Sequence, residues 1–137
     1  MQNPPPGYHS VSPYLIVNDV PRLIDFLIAT FDAKEIERHQ RPDGSVGHAE
    51  VRIGDSVVMM GGTPESQPAH LYVYVDDVDA TYGRGLRAGA TSVREPELQY
   101  YGDKMGGLKD AFGNTWWIGT HVEDVSAEEM ERRARGA

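Results

Sequence analysis

Residues 47 to 53, "GHAEVRI", set His48, Glu50 and Arg52 at alternate positions, and alternate residues of a strand share a face. An imidazole beside a carboxylate is a general base with its orienting acid. Adding His70, which opens the segment "HLYVYV", makes His48, Glu50 and His70 a set of candidate catalytic residues. The same three side chains offer the N and O donors from which a divalent metal site is built. A plainer arrangement fits the same letters: Glu50 and Arg52 as a solvated cross-strand ladder with His48 beside it. Cysteine is absent, which removes disulfides and thiolate metal sites.

A second group is aromatic. Tyr14, Tyr72, Tyr74 and Trp117 lie in strand-forming runs, where aromatics are common for packing reasons alone. Gathered on one face, their rings and polar ends suit an aromatic or cationic organic ligand. The stretch "LQYYGDKMGG" reads as a rim loop or a tight connection. Its Lys104, like Arg94 before it, is either solvated or free to pair with a ligand carboxylate.

The elements that must position these residues follow from periodicity. Residues 1–9 form a proline-rich extended leader. Residues 11–17 read as a strand, after which Asn18 or Asp19 caps a helix whose Val20, Leu23, Ile24, Leu27, Ile28 and Phe31 recur at helical spacing. Three strands follow, turning at Pro42-Asp43-Gly44 and Gly54-Asp55. The order then repeats: strand 70–75, a helix from about Val78 to Ala88, and strands 91–101, 103–110 and 114–120. "YLIVNDV" from Tyr14 matches "YVYVDDV" from Tyr72 at a displacement of 58, and "IGDSVVMM" from Ile53 matches "FGNTWWIG" from Phe112 at 59. The duplication pairs Ser12 with His70 and Val58 with Trp117. Ser126 and Glu129 form a capping box for a C-terminal helix within 122–137.

Two β-α-β-β-β copies with a "DxxGN" turn before the last strand resemble the vicinal oxygen chelate superfamily, which includes glyoxalase I, bleomycin-resistance proteins, fosfomycin-modifying enzymes and extradiol dioxygenases. "GYHSVSPYLIV", "RPDGSVGHAEVRIGDSVVM", "YVDDVDATY" and "GLKDAFGNTWWIGTHVEDVS" are similar to its PhnB-like subgroup. The resemblance implies an α+β fold in which two βαβββ modules, 10–62 and 69–121 of one domain 10–121, form a curved mixed-sheet cup. It also implies a homodimer and, in the enzymes, a divalent metal at the bottom of the cup. The metal-ligand positions correspond here to Ser12, Val58, His70 and Trp117. Of these only His70 is a good donor, so no cofactor is expected at the standard site.

If those four face the cup, the period of two brings Tyr14, Ser56, Met60, Tyr72, Tyr74, Thr115 and His121 with them. Trp116 then belongs to the core and Trp117 to the pocket wall. The expected ligand-binding set is Ser12, Tyr14, Val58, Met60, His70, Tyr72, Tyr74, Trp117 and His121. The resulting expectation is a binder of a small organic molecule in a metal-free aromatic cup. The alternative is a metal-dependent lyase, isomerase or dioxygenase with a displaced metal at His48, Glu50 and His70, or an acid-base enzyme using His70 and a tyrosine.

Net charge bounds the partners. Asp and Glu number 21 against 13 Lys and Arg, a formal charge of -8, which repels nucleic acid and anionic membrane surfaces. No run resembles a signal peptide or a membrane span, and the expectation is a cytoplasmic protein.

Overall fold

A computed structural model describes residues 1–136. The elements run β1 (Tyr14–Val17), α1 (Val20–Phe31), β2 (Lys34–Gln40), β3 (Val46–Ile53), β4 (Ser56–Gly62), β5 (His70–Tyr74), α2 (Val78–Arg87), β6 (Thr91–Leu98), β7 (Asp103–Lys109), β8 (Thr115–His121) and α3 (Ala127–Gly136). Two βαβββ modules therefore follow one another, as the duplication predicts. Each carries a four-stranded mixed sheet, ordered β1-β4-β3-β2 in the first and β5-β8-β7-β6 in the second.

The chain divides into two compact units at these modules, the first reaching Ala69 and the second starting at His70. The turn Ala111–Asn114 belongs to the first unit, where Asn114 Oδ1 accepts a 2.9 Å bond from the Ala69 amide and the Arg22 guanidinium lies 6.0 Å from the Phe112 ring centroid.

In module one, α1 starts where Asp19 accepts from the Arg22 amide at 3.2 Å, with Pro21 in the first turn, where no intrahelical N–H is required. It ends at Asp32, which takes the left-handed conformation at φ 55°. Its buried stripe of Val20, Leu23, Ile24 and Leu27 covers a sheet face that contributes Leu15, Val17, Ala49, Val51 and Met60. Burying each large apolar side chain is worth roughly 1.5–3 kcal/mol.

Module two has the weaker helix, with Asp77 capping it through the Ala80 amide at 3.2 Å. Its sheet buries Trp116, Leu108 and Ile118. Trp116 is in the core, as expected, and its indole N–H donates to Asp110 Oδ2 at 2.9 Å.

Of the expected C-terminal capping box the structure shows the Ser126 half, the Glu129 amide donating to Ser126 Oγ at 3.1 Å, while the Glu129 carboxylate bonds Arg132 and Arg133. Arg133 bonds Glu129 at 3.0 Å and Glu123 at 2.6 Å, holding α3 to the segment that follows β8. Residues 99–102 make the tight connection rather than an open rim: Gly102 donates to the Gln99 carbonyl at 3.1 Å and accepts from Val122 at 2.9 Å. The leader is not simply extended. Tyr8 donates its amide to the Pro5 carbonyl at 3.1 Å, and Arg52 Nη1 donates to the Gly7 carbonyl at 3.0 Å, which turns the leader back onto β3. Among the described residues no helix is long and apolar enough to cross a membrane.

Candidate functional site

Strand register decides which expected residues share a face. In module one Tyr14 pairs with Met59 and Leu15 with Met60. Ladder partners project to the same side of a sheet, so Met60 lies with the buried Leu15, and Val58, two positions earlier, lies with it. Gly62 has the same parity, and a Cβ there would sit 3.4 Å from Val20 of α1. This corrects the expected placement of Val58 and Met60 on the open face: both are in the core under the helix. Ser56 goes with them by parity. The equivalent of Trp117, which pairs with Tyr72, is Met59 rather than Val58. Aligning the two turns at a displacement of 59 shifted this strand by one residue, and a one-residue shift exchanges the faces.

The open face of module two brings together His70, Tyr72, Tyr74, Trp117 and His121, through the pairs His70–Thr115, Tyr72–Trp117, Tyr74–Gly119 and Asp103–His121. The organising group is one that sequence reasoning missed. Asp103 opens β7 and is 1% exposed. Tyr72 and Tyr74 both donate to its Oδ2 at 2.8 Å, while His121 Nδ1 lies 2.8 Å from Oδ1. The tyrosines stand on β5 and reach Asp103 across β8. Gly119 makes that possible, because a Cβ there would meet the Tyr72 hydroxyl at 2.5 Å.

The electrostatics follow from these bonds. Burial pushes the Asp103 carboxyl up, but donation by His121, Tyr72 and Tyr74 outweighs it and holds the group below the ordinary carboxylate range. Burial, with bonds to Tyr101 and Asp103, drives the Tyr72 phenol far above its ordinary value. Tyr74 is raised by its bond to Asp103. His121 Nε2 meets Asp124 at 2.8 Å. Carboxylates only accept, so both ring nitrogens donate, and Asp124 and then Asp103 raise the imidazole above its usual range.

The rings stay available. Tyr72 is 40% and Tyr74 65% exposed, with centroids 5.1 Å apart. Trp117 is half-buried and lies over Gly107, whose Cβ would meet the ring at 2.7 Å. Its indole N–H donates to His70 Nδ1 at 3.3 Å, and the two rings stack at 16°. A cavity of about 360 Å³ is lined by Tyr74, Val75, Asp76, Thr120 and His121.

Module one repeats the crossing device with different chemistry. Tyr14 on β1 passes over Gly61, where a Cβ would be 2.8 Å from its hydroxyl, and its hydroxyl lies 3.4 Å from His48 Nδ1 on β3. His48 Nε2 donates to Glu50 Oε2 at 2.9 Å, so the expected imidazole–carboxylate pair is present. Glu50 is 6% exposed, and its other oxygen accepts from the Tyr8 hydroxyl. Burial raises its carboxyl, but the donors His48 and Tyr8 prevail and hold it below the ordinary range. The His39 ring lies 6.1 Å from that of His48. A recess of about 400 Å³ lies elsewhere in this module, around Arg41 and the start of α1.

His70 lies on β5 of module two, and His48 and Glu50 on β3 of module one. The His70 imidazole is engaged by Trp117 in module two, and among the described residues no three His, Asp or Glu side chains are grouped to hold a metal ion. The family's usual positions do not fit a metal either. With the register corrected they hold Ser12, Met59, His70 and Trp117, a set with one good donor, and that donor's Nδ1 already accepts from Trp117.

Residues 8–118 match the sequence profile of the Glyoxalase/Bleomycin resistance protein/Dioxygenase superfamily, and the chain belongs to that family. An uncharacterized protein of Mycobacterium bovis, Mb0911c, is 39% identical over 89% of this chain and 90% of its own. Among solved structures, TioX from Micromonospora sp. ML1 superposes with a TM-score of 0.72 at 25% identity, covering 83% of this chain and 99% of its own. A PhnB protein from Bacillus cereus, described as a putative 3-demethylubiquinone-9 3-methyltransferase, shares the fold at a TM-score of 0.67 and 17% identity, over 82% of this chain and 99% of its own.

Proposed function

We propose that this protein is a PhnB-like, metal-independent member of the family that binds a small organic molecule on the aromatic face of module two. The observation that carries this reading is the attachment of Tyr72 and Tyr74 to one buried carboxylate oxygen. Their rings are held in place before any ligand arrives, which lowers the ordering cost of binding, and they remain exposed for stacking. Trp117 and His70 extend the same face, and the His121 ring, bonded to Asp103 and Asp124, closes its end. A planar organic group, cationic or neutral, is the ligand class that such rings accept. The protein is proposed to act as a cytoplasmic homodimer.

Titration of the purified protein with a panel of small aromatic and cationic compounds, read by tryptophan fluorescence, tests this. Saturable quenching that is lost in Trp117→Phe and weakened in Tyr74→Ala is the expected result. Binding that persists in both variants would refute it.

A second reading rests on the 2.9 Å bond between His48 and Glu50. It makes the protein a metal-free acid-base enzyme in which Glu50 orients His48. It requires turnover that disappears in His48→Ala while ligand binding on module two persists.

A further inference from the structure

Tyr8 belongs to the leader, outside the sheet, yet its phenol occupies one oxygen of a nearly buried carboxylate. The leader is held there by that bond and by the 3.0 Å bond from Arg52 to the Gly7 carbonyl. Removing it takes no rung from the β-ladder. It would, however, take a donor from a carboxylate that is 6% exposed with the leader in place and open that oxygen to another donor. The position therefore selects an O–H or N–H group.

The surroundings narrow the class. His48 is flanked by the His39 ring at 6.1 Å and the Tyr14 ring at 5.8 Å, so the neighbours are flat and partly apolar. Charges of both signs border the position: the Arg52 guanidinium lies where the leader crosses, within 3.1 Å of a Cβ built on Gly7, and Glu37 pairs with Glu50 across the β2–β3 ladder, so a neutral donor fits without adding to either. A neutral aromatic hydroxyl satisfies both constraints, and Tyr8 is itself one.

We propose that Glu50 and His48, with the Tyr14 and His39 rings, form a binding site for small phenols, and that Tyr8 is a displaceable occupant of it. Glu50 accepts the hydroxyl, as it does from Tyr8, and its negative charge keeps the bound phenol protonated. No bond is made or broken. The site is separate from the aromatic face of module two and stands or falls independently of it.

The probe is p-nitrophenol, whose phenolate absorbs near 400 nm, titrated at the pH of its half-ionisation into the full-length chain. Freed of its occupant, Tyr8→Ala is expected to bind about tenfold more tightly than the unaltered protein and to bleach the phenolate band as the phenol is bound. Tyr8→Ala combined with Glu50→Gln is expected to lose both effects. Equal affinity in Tyr8→Ala and the unaltered chain overturns the proposal, as does an unchanged response in the double variant. Glu50→Gln alters a buried group, so a second measurement uses the native sequence with 3-fluorotyrosine. Saturating phenol is expected to move the Tyr8 fluorine resonance toward its position in a peptide of the leader, and a resonance that stays in place overturns the proposal. Loss of phenol binding in Trp117→Phe would assign the phenol to module two, refuting this site while leaving the proposed function intact.

Discussion

The imidazole of His121 lies 2.8 Å from Asp103 through Nδ1 and is held protonated by a second carboxylate, Asp124, on its other nitrogen. Its pKa is raised in the folded state, so the stability it contributes is fully present below the unfolded value of about 6.5 and is lost as pH rises through the folded value. Replacing His121 by Gln is expected to narrow the gap in urea midpoint between the acidic and alkaline sides of that window. Midpoints measured at mildly acidic and clearly alkaline pH check this, and parallel profiles for the two proteins would contradict it.

Asp103 is the acceptor on which three side chains depend. Asp103→Ala leaves two phenols and a charged ring without their partner and is expected to cost about 2–4 kcal/mol. It should also release Tyr72 and Tyr74 and so weaken ligand binding on their face. Chemical denaturation gives the first number, and fluorescence titration of the variant at a temperature where it remains folded gives the second. Because the Asp103 pKa is depressed, this contribution is present above the ordinary carboxylate range and declines as pH falls through the depressed value.

Gly119 and Gly61 are equivalent crossing points with unequal consequences. A methyl on Gly119 would lie 2.5 Å from the Tyr72 hydroxyl and 2.8 Å from its Cε1, whereas one on Gly61 would lie 2.8 Å from the Tyr14 hydroxyl. Tyr72 is bound to a buried carboxylate, and Tyr14 makes only a 3.4 Å contact on an exposed side. Gly119→Ala is expected to cost about 1–3 kcal/mol and Gly61→Ala less. Paired thermal melts decide the order.

The adjacent tryptophans should respond differently. Trp116 is fully buried and bonded to Asp110, so Trp116→Phe is expected to lose about 2–4 kcal/mol through a cavity and the loss of that buried hydrogen bond. Trp117→Phe keeps a ring over Gly107 and is expected to change stability by less than about 1 kcal/mol. Urea midpoints of the two variants test the contrast.

Much of this architecture was legible locally. The 3.6-residue stripe and Asp19 cap specified α1, the repeated strand pattern specified two modules, and alternation placed His48 beside Glu50 and separated Trp116 from Trp117. These are relations between residues close in the chain, where periodicity and turn chemistry act directly. The face of β4 was beyond them. Apolar Val57, Val58, Met59 and Met60 carry no alternation, and only the ladder with β1 and β3 shows that Val58 and Met60 are covered by α1 while Met59 stands with Tyr14. Asp103 and Tyr8 were missed for a related reason. Their partners are distant in sequence, and those of Asp103 on β5 are reached across an intervening strand over a glycine. Periodicity and the internal repeat determined the modules, composition the residue types available for chemistry, and the resemblance of the motifs pointed to the family. Strand register and side-chain reach, which depend on hydrogen bonds between distant segments, decided which of those residues meet.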